Sequence, residues 1–547
     1  MNKNKLQDSL LMGALASSFG IFLSKLLGLF YYSPLSEIAG EANMAFYAIA
    51  YTYYDLLLQI SSAGIPFAIA ALVAKYVAKR DYKTVLLVKK LGISIVLALS
   101  VFIAFIFFIL IAPLSQQFLG TSAPLKDINS LKNLFYILTI AIVLVPFLSA
   151  IRGYAQGLKR LDIYGASQVL EQFVRVLTII IGAYVFVKII NFDSIWAIYV
   201  AIAAASIAAI VAIIFTKVFS KNDEKHIVEL AEKQKSDSNK TKIQIAKEIL
   251  SIGIPYLVIS FLGTAGPLVN TTFFMDYMTK VYGPSAYEGA KLASGILQAN
   301  IAKISNIPSV LALGFGSGMV PYLSEALEEN DNKKITRYIN QILDTVCIIL
   351  IPIIAIFVFF AKDIYYIMYG NNNLLLGSYL FAISNIQIFL GTIAPVFSSM
   401  MMSLKLRKEA IFALIISFIV KLVLFFPCVR LFTTLGMVYS SGVYYLLQIV
   451  IYFYFLKKNF NINIRGASKR FVLICLCSLV MVIPAVIIHR FIPFDYTDRI
   501  FDILIMLVLG IIMLCIYYFA TKKTGLLAKI FELKEVSLLK VLRKYRG

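Results

Sequence analysis

Long apolar runs recur along nearly the whole chain, and they limit it to one kind of fold. About fourteen segments, most of them about 20 residues or longer, are apolar enough to cross a bilayer core of about 30 Å as helices. The segments lie at 9–31, 43–78, 86–113, 130–153, 165–189, 194–219, 246–270, 288–325, 339–361, 374–402, 408–432, 434–457, 469–491 and 499–520. Because backbone polar groups must be satisfied within lipid, such runs predict helices. The sequence therefore predicts an all-α polytopic membrane protein with about fourteen transmembrane helices.

The basic charge of the chain follows the loops between these segments. Hydrophobic residues make up 60% of the chain and charged residues 15%, while the net charge is +22. Such a charge often marks nucleic-acid binding, but Lys and Arg also accumulate on the cytoplasmic loops of membrane proteins. Basic clusters at 75–90, 152–160, 405–408 and 457–470 alternate with neutral or acidic loops. We therefore expect no nucleic-acid partner and a multi-pass protein of the cell membrane, with both termini in the cytoplasm.

Motifs for metals, nucleotides and catalysis do not stand out in the sequence. The five cysteines all fall in apolar runs, where free Cys behaves as a small hydrophobic residue, so neither disulfides nor a metal site is expected. The two histidines, His226 and His489, lie in a polar loop and at a helix end. The sequence has no G-x-x-x-x-G-K-[ST] loop and no H-E-x-x-H or G-x-S-x-G pattern. We expect a carrier without a cofactor rather than an enzyme.

The longest polar stretch divides the chain into two halves of about six spans each. Weak internal echoes follow the same order in both halves, such as GLKR at 157–160 with LKLR at 404–407. Both halves begin inside, which predicts parallel repeats about an axis along the membrane normal. The predicted parts are an N-terminal lobe at 1–220, a cytoplasmic linker at 221–245, a C-terminal lobe at 246–458, two further helices at 459–520 and a tail at 521–547. The tail is either a basic amphipathic helix on the membrane surface or a run of charges that enforces topology.

Two of the apolar segments are interrupted by small residues and an Ile-Pro pair. They are SSAGIPFAIAALVAKY at 61–76 and SNIPSVLALGFGSGMVPY at 305–322. Proline removes a helical hydrogen bond, so each segment is expected to bend there. One such kink would indicate packing alone, but a matching pair favours a cavity between the two halves. We expect Gly64, Pro66 and Pro308 to act as hinges.

Ionisable residues inside the membrane are costly, so they usually face a cavity or each other. Lys25 lies in the middle of the first span, too deep to reach the interface easily. Lys303 lies shortly before Pro308 and is a second candidate for the cavity. Asp55, in the second span, is a candidate counter-charge to Lys25. These residues are expected to contact substrate.

Further candidate substrate-binding residues lie on the fourth, fifth and eleventh spans. Glu171 and Arg175 are four residues apart on one helix, so a local salt bridge is an equal alternative to a substrate site. Gln172 lies beside them. Arg152 either meets an anionic head group or follows the positive-inside rule, and Lys421 is similarly divided. The charges at membrane depth are mainly cationic, which favours anionic substrates such as phosphate or diphosphate over cationic drugs.

Four sequence blocks resemble a known family. They are SKLLG at 24–28, AYTYYDLLLQISSAGIPFAIAALVAKY at 50–76, IRGYAQG at 151–157 and SQVLEQFVRVLTIIIGAY at 167–184. Together with the pattern of spans, they are similar to the multidrug/oligosaccharidyl-lipid/polysaccharide (MOP) exporter superfamily, and within it to the branch that contains MurJ, YtgP and SpoVB. The resemblance covers most of residues 9–460.

This resemblance implies a substrate and a mechanism. Members of the branch typically move lipid II, the undecaprenyl-diphosphate-linked peptidoglycan precursor, from the inner to the outer leaflet by alternating access. An ion gradient or membrane potential is thought to drive the cycle, so a coupling cation of open identity is expected. Lys25 and Lys303 fall where cavity arginines are usual, and they keep the charge without the bidentate fork. Tyr31, Tyr32 and Ser33 stand where a further cation is common.

Three other functions remain as alternatives to a lipid II flippase. The same fold serves flippases for other lipid-linked oligosaccharides, such as capsule or polysaccharide repeat units, and sequence barely separates these from lipid II. A cation-coupled multidrug exporter would depend on Asp55 or Glu171 instead of the lysines. A scaffold of a cell-wall or sporulation assembly would tolerate substitutions in the cavity.

Overall fold

Helices account for the regular structure of the described residues. The computed structural model describes residues 27–28, 31–62, 64–234, 240–309, 320–462, 465–491, 494 and 496–531, and no strand occurs among them. The helices are α1 (Tyr32–Ala39), α2 (Met44–Ser62), α3 (Ile65–Ala78), α4 (Tyr82–Leu119), α5 (Leu125–Gly157), α6 (Leu161–Tyr184), α7 (Ile195–Phe219), α8 (Lys221–Lys233), α9 (Lys242–Tyr282), α10 (Tyr287–Ser294), α11 (Val320–Glu328), α12 (Asn332–Phe359), α13 (Ala361–Tyr369), α14 (Leu374–Ser403), α15 (Arg407–Phe432), α16 (Leu435–Phe460), α17 (Arg465–Phe491), α18 (Arg499–Lys523) and α19 (Leu526–Phe531). A short π-helical turn follows α6 at Val185–Ile189 and another follows α10 at Gly295–Ile301. Residues 302–309 are again α-helical.

Eleven membrane spans are recognisable by length and composition in the part of the chain that the structure describes. They coincide with the second to sixth and the ninth to fourteenth predicted segments. The seventh predicted segment lies within α9, a continuous helix of 41 residues. Most of the first segment, including Lys25, lies outside the described residues, as does 310–319 of the eighth. The prediction of an all-α polytopic membrane protein is confirmed.

The chain forms two compact units, Met1–Asn300 and Ile301–Gly547. In the first unit, α9 packs against α2, α3 and α4, so the unit extends beyond the linker at 221–245. In the second unit, α17 packs against α12 and α18, and Ile474 and Cys477 of α17 share an apolar cluster with Ile348 of α12. The predicted lobes, which rest on sequence repeats, stay a prediction.

Matched turns support the predicted repeat. Non-glycine residues adopt the uncommon positive φ at equivalent places in the two halves, and each turn joins a corresponding pair of helices. The pairs are Arg80 with Asn330, Lys159 with Lys405, and Asn191 with Thr433, and a positive-φ glycine pair, Gly120 with Gly370, falls between them. The Lys159 and Lys405 turns are the ones that contain GLKR and LKLR. The two halves are therefore similar at these turns both in sequence and in the backbone angle φ.

The first predicted break is present between α2 and α3. Gly64 precedes α3 with φ 72° and ψ −20°, a left-handed conformation that glycine adopts without a Cβ penalty. Pro66 occupies the first turn of α3, where its missing N–H costs no hydrogen bond. The second break is less fully described. Pro308 lies within the helical stretch 302–309, and the small residues that follow it are outside the described residues.

Two glycines of the IRGYAQG block bring α5 against α3. A Cβ atom at Gly153 would lie 2.4 Å from the carbonyl oxygen of Pro66, and one at Gly157 would lie 2.6 Å from Cβ of Val73. Small residues four apart allow two helices to approach this closely within a membrane. The two glycines thus allow α5 to pack closely against α3. Gly153 is the residue next to Arg152 in the chain.

The linker begins as a docked helix. Ile227 and Ala231 of α8 are buried, and Ile227 belongs to the apolar cluster formed with α3, α4 and α9. At the end of α8, the side-chain oxygen of Gln234 accepts hydrogen bonds from the backbone N–H groups of Tyr82 (2.8 Å) and Lys83 (3.2 Å). These are N–H groups of the first turn of α4, which have no partner within that helix. Burial acts to raise the pKa of Asp81, but hydrogen bonds from Thr84 and Gln234 outweigh it and hold that pKa below its ordinary value.

We predict that Gly153→Ala lowers the thermal stability of the purified protein in detergent. The added methyl group would overlap the Pro66 carbonyl, and moving packed backbone costs about 1–3 kcal/mol. Gly510→Ala is the matched control, because a Cβ atom at Gly510 meets nothing within 4 Å. That variant is expected to melt at the wild-type temperature or slightly above it. Equal melting temperatures for the two variants would contradict the proposed close contact.

Candidate functional site

Three of the predicted site residues meet in the first unit. Arg152 Nη1 lies 2.7 Å from Glu171 Oε2, and Arg175 Nη2 lies 2.6 Å from Glu171 Oε1. All three side chains are at least 86% buried. The expected pair between Glu171 and Arg175 is therefore present, and Arg152 from the neighbouring helix joins it. We call Arg152, Glu171 and Arg175 the arginine cluster.

A relay of hydrogen bonds anchors the arginine cluster to α7. Arg152 Nε donates to Ser167 Oγ at 2.9 Å, and Ser167 Oγ lies 2.9 Å from Thr216 Oγ1. The Thr216 hydroxyl donates to the carbonyl oxygen of Ala212 at 2.7 Å. Because that proton is already committed, Ser167 must donate to Thr216. Ser167 and Glu171 together hold the Arg152 side chain in one orientation, as a preorganised binding group requires.

The arginine cluster carries one more positive charge than negative. Two guanidinium groups share a single carboxylate, and in the described part of the chain Arg152 Nη2 and Arg175 Nε are buried without a hydrogen-bond partner. Buried donors are rarely left unsatisfied, and their cost is highest when the group is charged. An anion with several acceptor oxygens would satisfy both nitrogens and balance the charge.

A chain of contacting tyrosine rings lies beside the arginine cluster. The rings of Tyr31, Tyr32, Tyr47, Tyr51 and Tyr54 form a continuous chain of contacts with centroid distances of 5.5–5.8 Å. The hydroxyl groups of Tyr31 and Tyr47 are 2.9 Å apart. Tyr31, Tyr51 and Tyr54 are close enough to Arg175 to interact with it electrostatically. Sequence reasoning did not assign these tyrosines to the site, although the run AYTYYD and its helical spacing were a visible signal.

Asp55 and Gln172 lie in the first unit but outside the arginine cluster. Asp55 Oδ2 accepts a hydrogen bond from Gln59 Nε2 at 2.9 Å, and the Asp55 side chain is exposed. Gln172 follows Glu171 on α6 and is half-buried. The proposed partner of Asp55, Lys25, lies outside the described residues, so that pairing stays a prediction.

The remaining predicted site residues belong to the second unit. Lys421 is 1% exposed, and its Nζ donates to Ser441 Oγ (2.6 Å) and Ser440 Oγ (3.1 Å) of α16. The spacing that relates Lys159 to Lys405 also relates Arg175 to Lys421, as predicted, and it places Ser417 where Glu171 stands. The second unit thus keeps the cation of the repeat but has a hydroxyl in place of the carboxylate. Lys303 is half-buried on the stretch 302–309.

Sequence reasoning missed one buried ion pair within the first unit. Lys291 Nζ of α10 lies 2.6 Å from Asp127 Oδ2 of α5, and the Tyr287 hydroxyl donates to the same oxygen at 2.9 Å. Lys291 Nζ also lies 4.8 Å from the ring centre of Phe46, within the range of a cation–π contact. Asp127 and Lys291 are far apart in the chain, so no local pattern links them.

The fold defines a class: polytopic helical membrane proteins. Residues 10–327 match the family model of polysaccharide biosynthesis proteins, which is more than half of the chain, so the chain belongs to that family. Residues 297–521 match the model described as lipid II flippase MurJ. These matches confirm the resemblance to the MurJ, YtgP and SpoVB branch of the MOP superfamily.

Curated relatives align along much or all of the chain. The lipid II flippase MurJ of Bacillus subtilis (strain 168) is 27% identical over 544 residues, which covers 96% of this chain and 97% of the relative. Stage V sporulation protein B of the same organism is 23% identical over 402 residues, covering 72% of this chain and 70% of that protein.

Solved structures share the fold. The lipid II flippase MurJ in an inward closed conformation has a TM-score of 0.64 at 15% identity, covering 93% of this chain and 99% of that one. An inward-facing multidrug resistance transporter of the MATE family has a TM-score of 0.63 at 14% identity, covering 82% and 95%. At such identities the likeness shows the fold alone. The curated MurJ relative is named as a flippase, in agreement with the expectation of a carrier.

We predict that Glu171→Gln destabilises the protein by about 3 kcal/mol or more, because it leaves two buried guanidinium groups without a counter-charge. The measurement is the thermal unfolding midpoint in detergent. Asp162→Asn is the control, since Asp162 also pairs with an arginine, Arg160, but at an exposed site where such pairs contribute about 1 kcal/mol or less. A Glu171→Gln midpoint equal to that of the control would mean that water or lipid already compensates the cluster.

Proposed function

We propose that this chain is a flippase for lipid II, which moves the undecaprenyl-diphosphate-linked peptidoglycan precursor from the inner to the outer leaflet. The observation that carries the proposal is its 27% identity with the lipid II flippase MurJ of Bacillus subtilis over 96% of the chain. The fold alone does not distinguish this function from drug export, because the two solved structures match about equally well.

The arginine cluster supports an anionic substrate. A diphosphate presents several acceptor oxygens, and guanidinium groups bind such oxygens through paired, charge-assisted hydrogen bonds. Arg152 Nη2 and Arg175 Nε are the donors left for it among the described residues. Lys25 and Lys303 would add point charges, and the polyprenyl tail would stay in lipid while the head group crosses. Lys421, buried between α15 and α16, is better suited to holding these helices together than to contacting substrate.

The break at Gly64 supports alternating access. A helix interrupted by a left-handed glycine and followed by proline can change direction at the cost of few hydrogen bonds. We propose that Gly64 and Pro66, with Pro308 in the second unit, are the hinges of the transport cycle. Both termini lie in the cytoplasm in this proposal, and a coupling cation drives the cycle.

A flippase for another lipid-linked oligosaccharide is the second candidate. The match of residues 10–327 to polysaccharide biosynthesis proteins favours it. Its substrate would carry the same diphosphate, so the arginine cluster would serve both. A cation-coupled drug exporter is less compatible with the site, because the cluster has an excess of positive charge.

Complementation tests the function. In a bacterium whose own lipid II flippase can be depleted, the wild-type chain is expected to restore growth and lipid II in the outer leaflet. Arg175→Ala and the double variant Lys25→Ala/Lys303→Ala are expected to lose both, because each removes cations from the site. Lys405→Ala is the control, since Lys405 forms an exposed ion pair with Glu328.

The outcomes separate the candidates. Growth restored by the wild type and lost in both variants, with normal membrane insertion, supports the flippase and its cationic site. Good expression without rescue would contradict the lipid II assignment and favour another lipid-linked glycan. Transport retained in the double lysine variant would remove Lys25 and Lys303 from the site.

We predict that Gly64→Ala slows transport while the protein still inserts in the membrane. An L-residue in the left-handed conformation costs about 1–2 kcal/mol, which shifts the balance between conformations of the broken segment. The measurement is the rate at which lipid II reaches the outer leaflet in proteoliposomes, with Gly510→Ala as the unaffected control. A wild-type rate for Gly64→Ala would show that the break is a fixed feature of packing.

A further inference from the structure

Four side chains on α2 form a stripe that has no role in the arginine cluster as defined above. Tyr47, Tyr51, Asp55 and Gln59 are spaced four residues apart, so they follow one another along one face of the helix. We call these four residues the α2 stripe. It begins with two aromatic rings and ends with two planar polar groups.

The geometry of the α2 stripe is that of an accessible platform. The rings of Tyr47 and Tyr51 are stacked, with centroids 5.5 Å apart and an interplanar angle of 20°. Tyr47 is buried, while Tyr51 is 40% exposed. Beyond it, Asp55 Oδ2 accepts from Gln59 Nε2 at 2.9 Å, which fixes the carboxylate in place. Gln59 Oε1 is buried and has no hydrogen-bond partner within the described residues.

The exposed part of the stripe does not suit contact with lipid. Asp55 lies 11 residues into α2, about 16 Å along the helix axis. A carboxylate and an amide at such a depth are costly against hydrocarbon and usually face a wet cavity. Simple packing explains Tyr47, but it does not explain an exposed tyrosine followed by an exposed aspartate. The stripe therefore borders water or a polar ligand.

The chemistry of the stripe differs from that of an anion site. An ionised carboxylate only accepts hydrogen bonds, so Asp55 requires a ligand with O–H or N–H donors and repels a diphosphate. Gln59 Oε1 likewise requires a donor. A sugar ring meets these needs, because it has an apolar C–H face that packs on an aromatic ring and hydroxyl or acetamido groups at its edge. Tyr51 and Tyr54 also interact electrostatically with Arg175, which places the platform beside the arginine cluster.

We propose that the α2 stripe is a glycan subsite, which binds the sugar attached to the diphosphate of the transported lipid. This inference rests on the proposed function and assigns different parts of the head group to different residues. The arginine cluster takes the diphosphate, the exposed face of Tyr51 takes the apolar face of a sugar, and Asp55, positioned by Gln59, accepts hydrogen bonds from its polar edge.

Paired ligands test the assignment. The full-length protein in nanodiscs would be titrated with lipid II and with undecaprenyl diphosphate, which lacks the sugar, and both Kd values would be measured. Wild type is expected to bind lipid II more tightly. Tyr51→Ala and Asp55→Ala are each expected to weaken lipid II binding about tenfold, or about 1.4 kcal/mol, and to leave undecaprenyl diphosphate binding within about twofold of wild type.

Three further variants complete the design. Arg175→Ala is expected to weaken both ligands, because both carry the diphosphate. Tyr51→Phe keeps the ring and is expected to retain lipid II affinity, which guards against misfolding as the cause of a loss. Tyr136→Ala is the matched control, because Tyr136 is 42% exposed on α5 and its ring contacts Phe108.

The proposal is overturned if Tyr51→Ala and Asp55→Ala weaken both ligands equally, since the stripe would then act through the fold. It is also overturned if wild type binds the two ligands equally, a result that leaves the diphosphate assignment standing. Wild-type protein that binds neither ligand would overturn the proposed function itself, and the subsite with it.

Discussion

The low dielectric of the bilayer is the constraint on which this structure depends. Inside it, each charge needs a partner, and the arginine cluster meets that need incompletely. One carboxylate serves two guanidinium groups, and Ser167, which is itself bonded to Thr216, accepts from Arg152 Nε and holds that side chain in place. The cluster is thus short of one negative charge, and this deficit is the basis of the proposal that it binds an anion.

Whether the sequence alone predicts a contact depends on how far apart the two residues are in the chain. Apolar run lengths predicted the spans, and the four-residue spacing of Glu171 and Arg175 indicated a salt bridge as one of two alternatives, because both patterns are local. Arg152 joining the pair depends on the contact of α5 with α6, and the Asp127–Lys291 pair joins distant parts of the chain. Lys421 shows the same limit: its charge was visible, but its serine partners belong to another helix. Local spacing reveals the elements, whereas tertiary packing decides which side chains meet.

The two units differ in their buried polar residues. Residues with a positive φ occur at corresponding turns of the two halves. Their buried polar residues have diverged, since Glu171 in the first half corresponds to Ser417 in the second. One copy thus retains a charged cluster and the other a lysine among hydroxyl groups.

The docking of α8 sets the reach of the connection that follows it. Gln234 is held against the start of α4, and Thr241 caps the start of α9 through a reciprocal pair of bonds with Gln244. The chain between these two anchors spans seven peptide steps, which extend to about 25 Å at most. The covalent connection between α8 and α9 is therefore short and allows little separation of the two helix ends. Any rearrangement that carries the start of α9 farther than this from α4 must first pull Gln234 away and expose the backbone N–H groups of Tyr82 and Lys83.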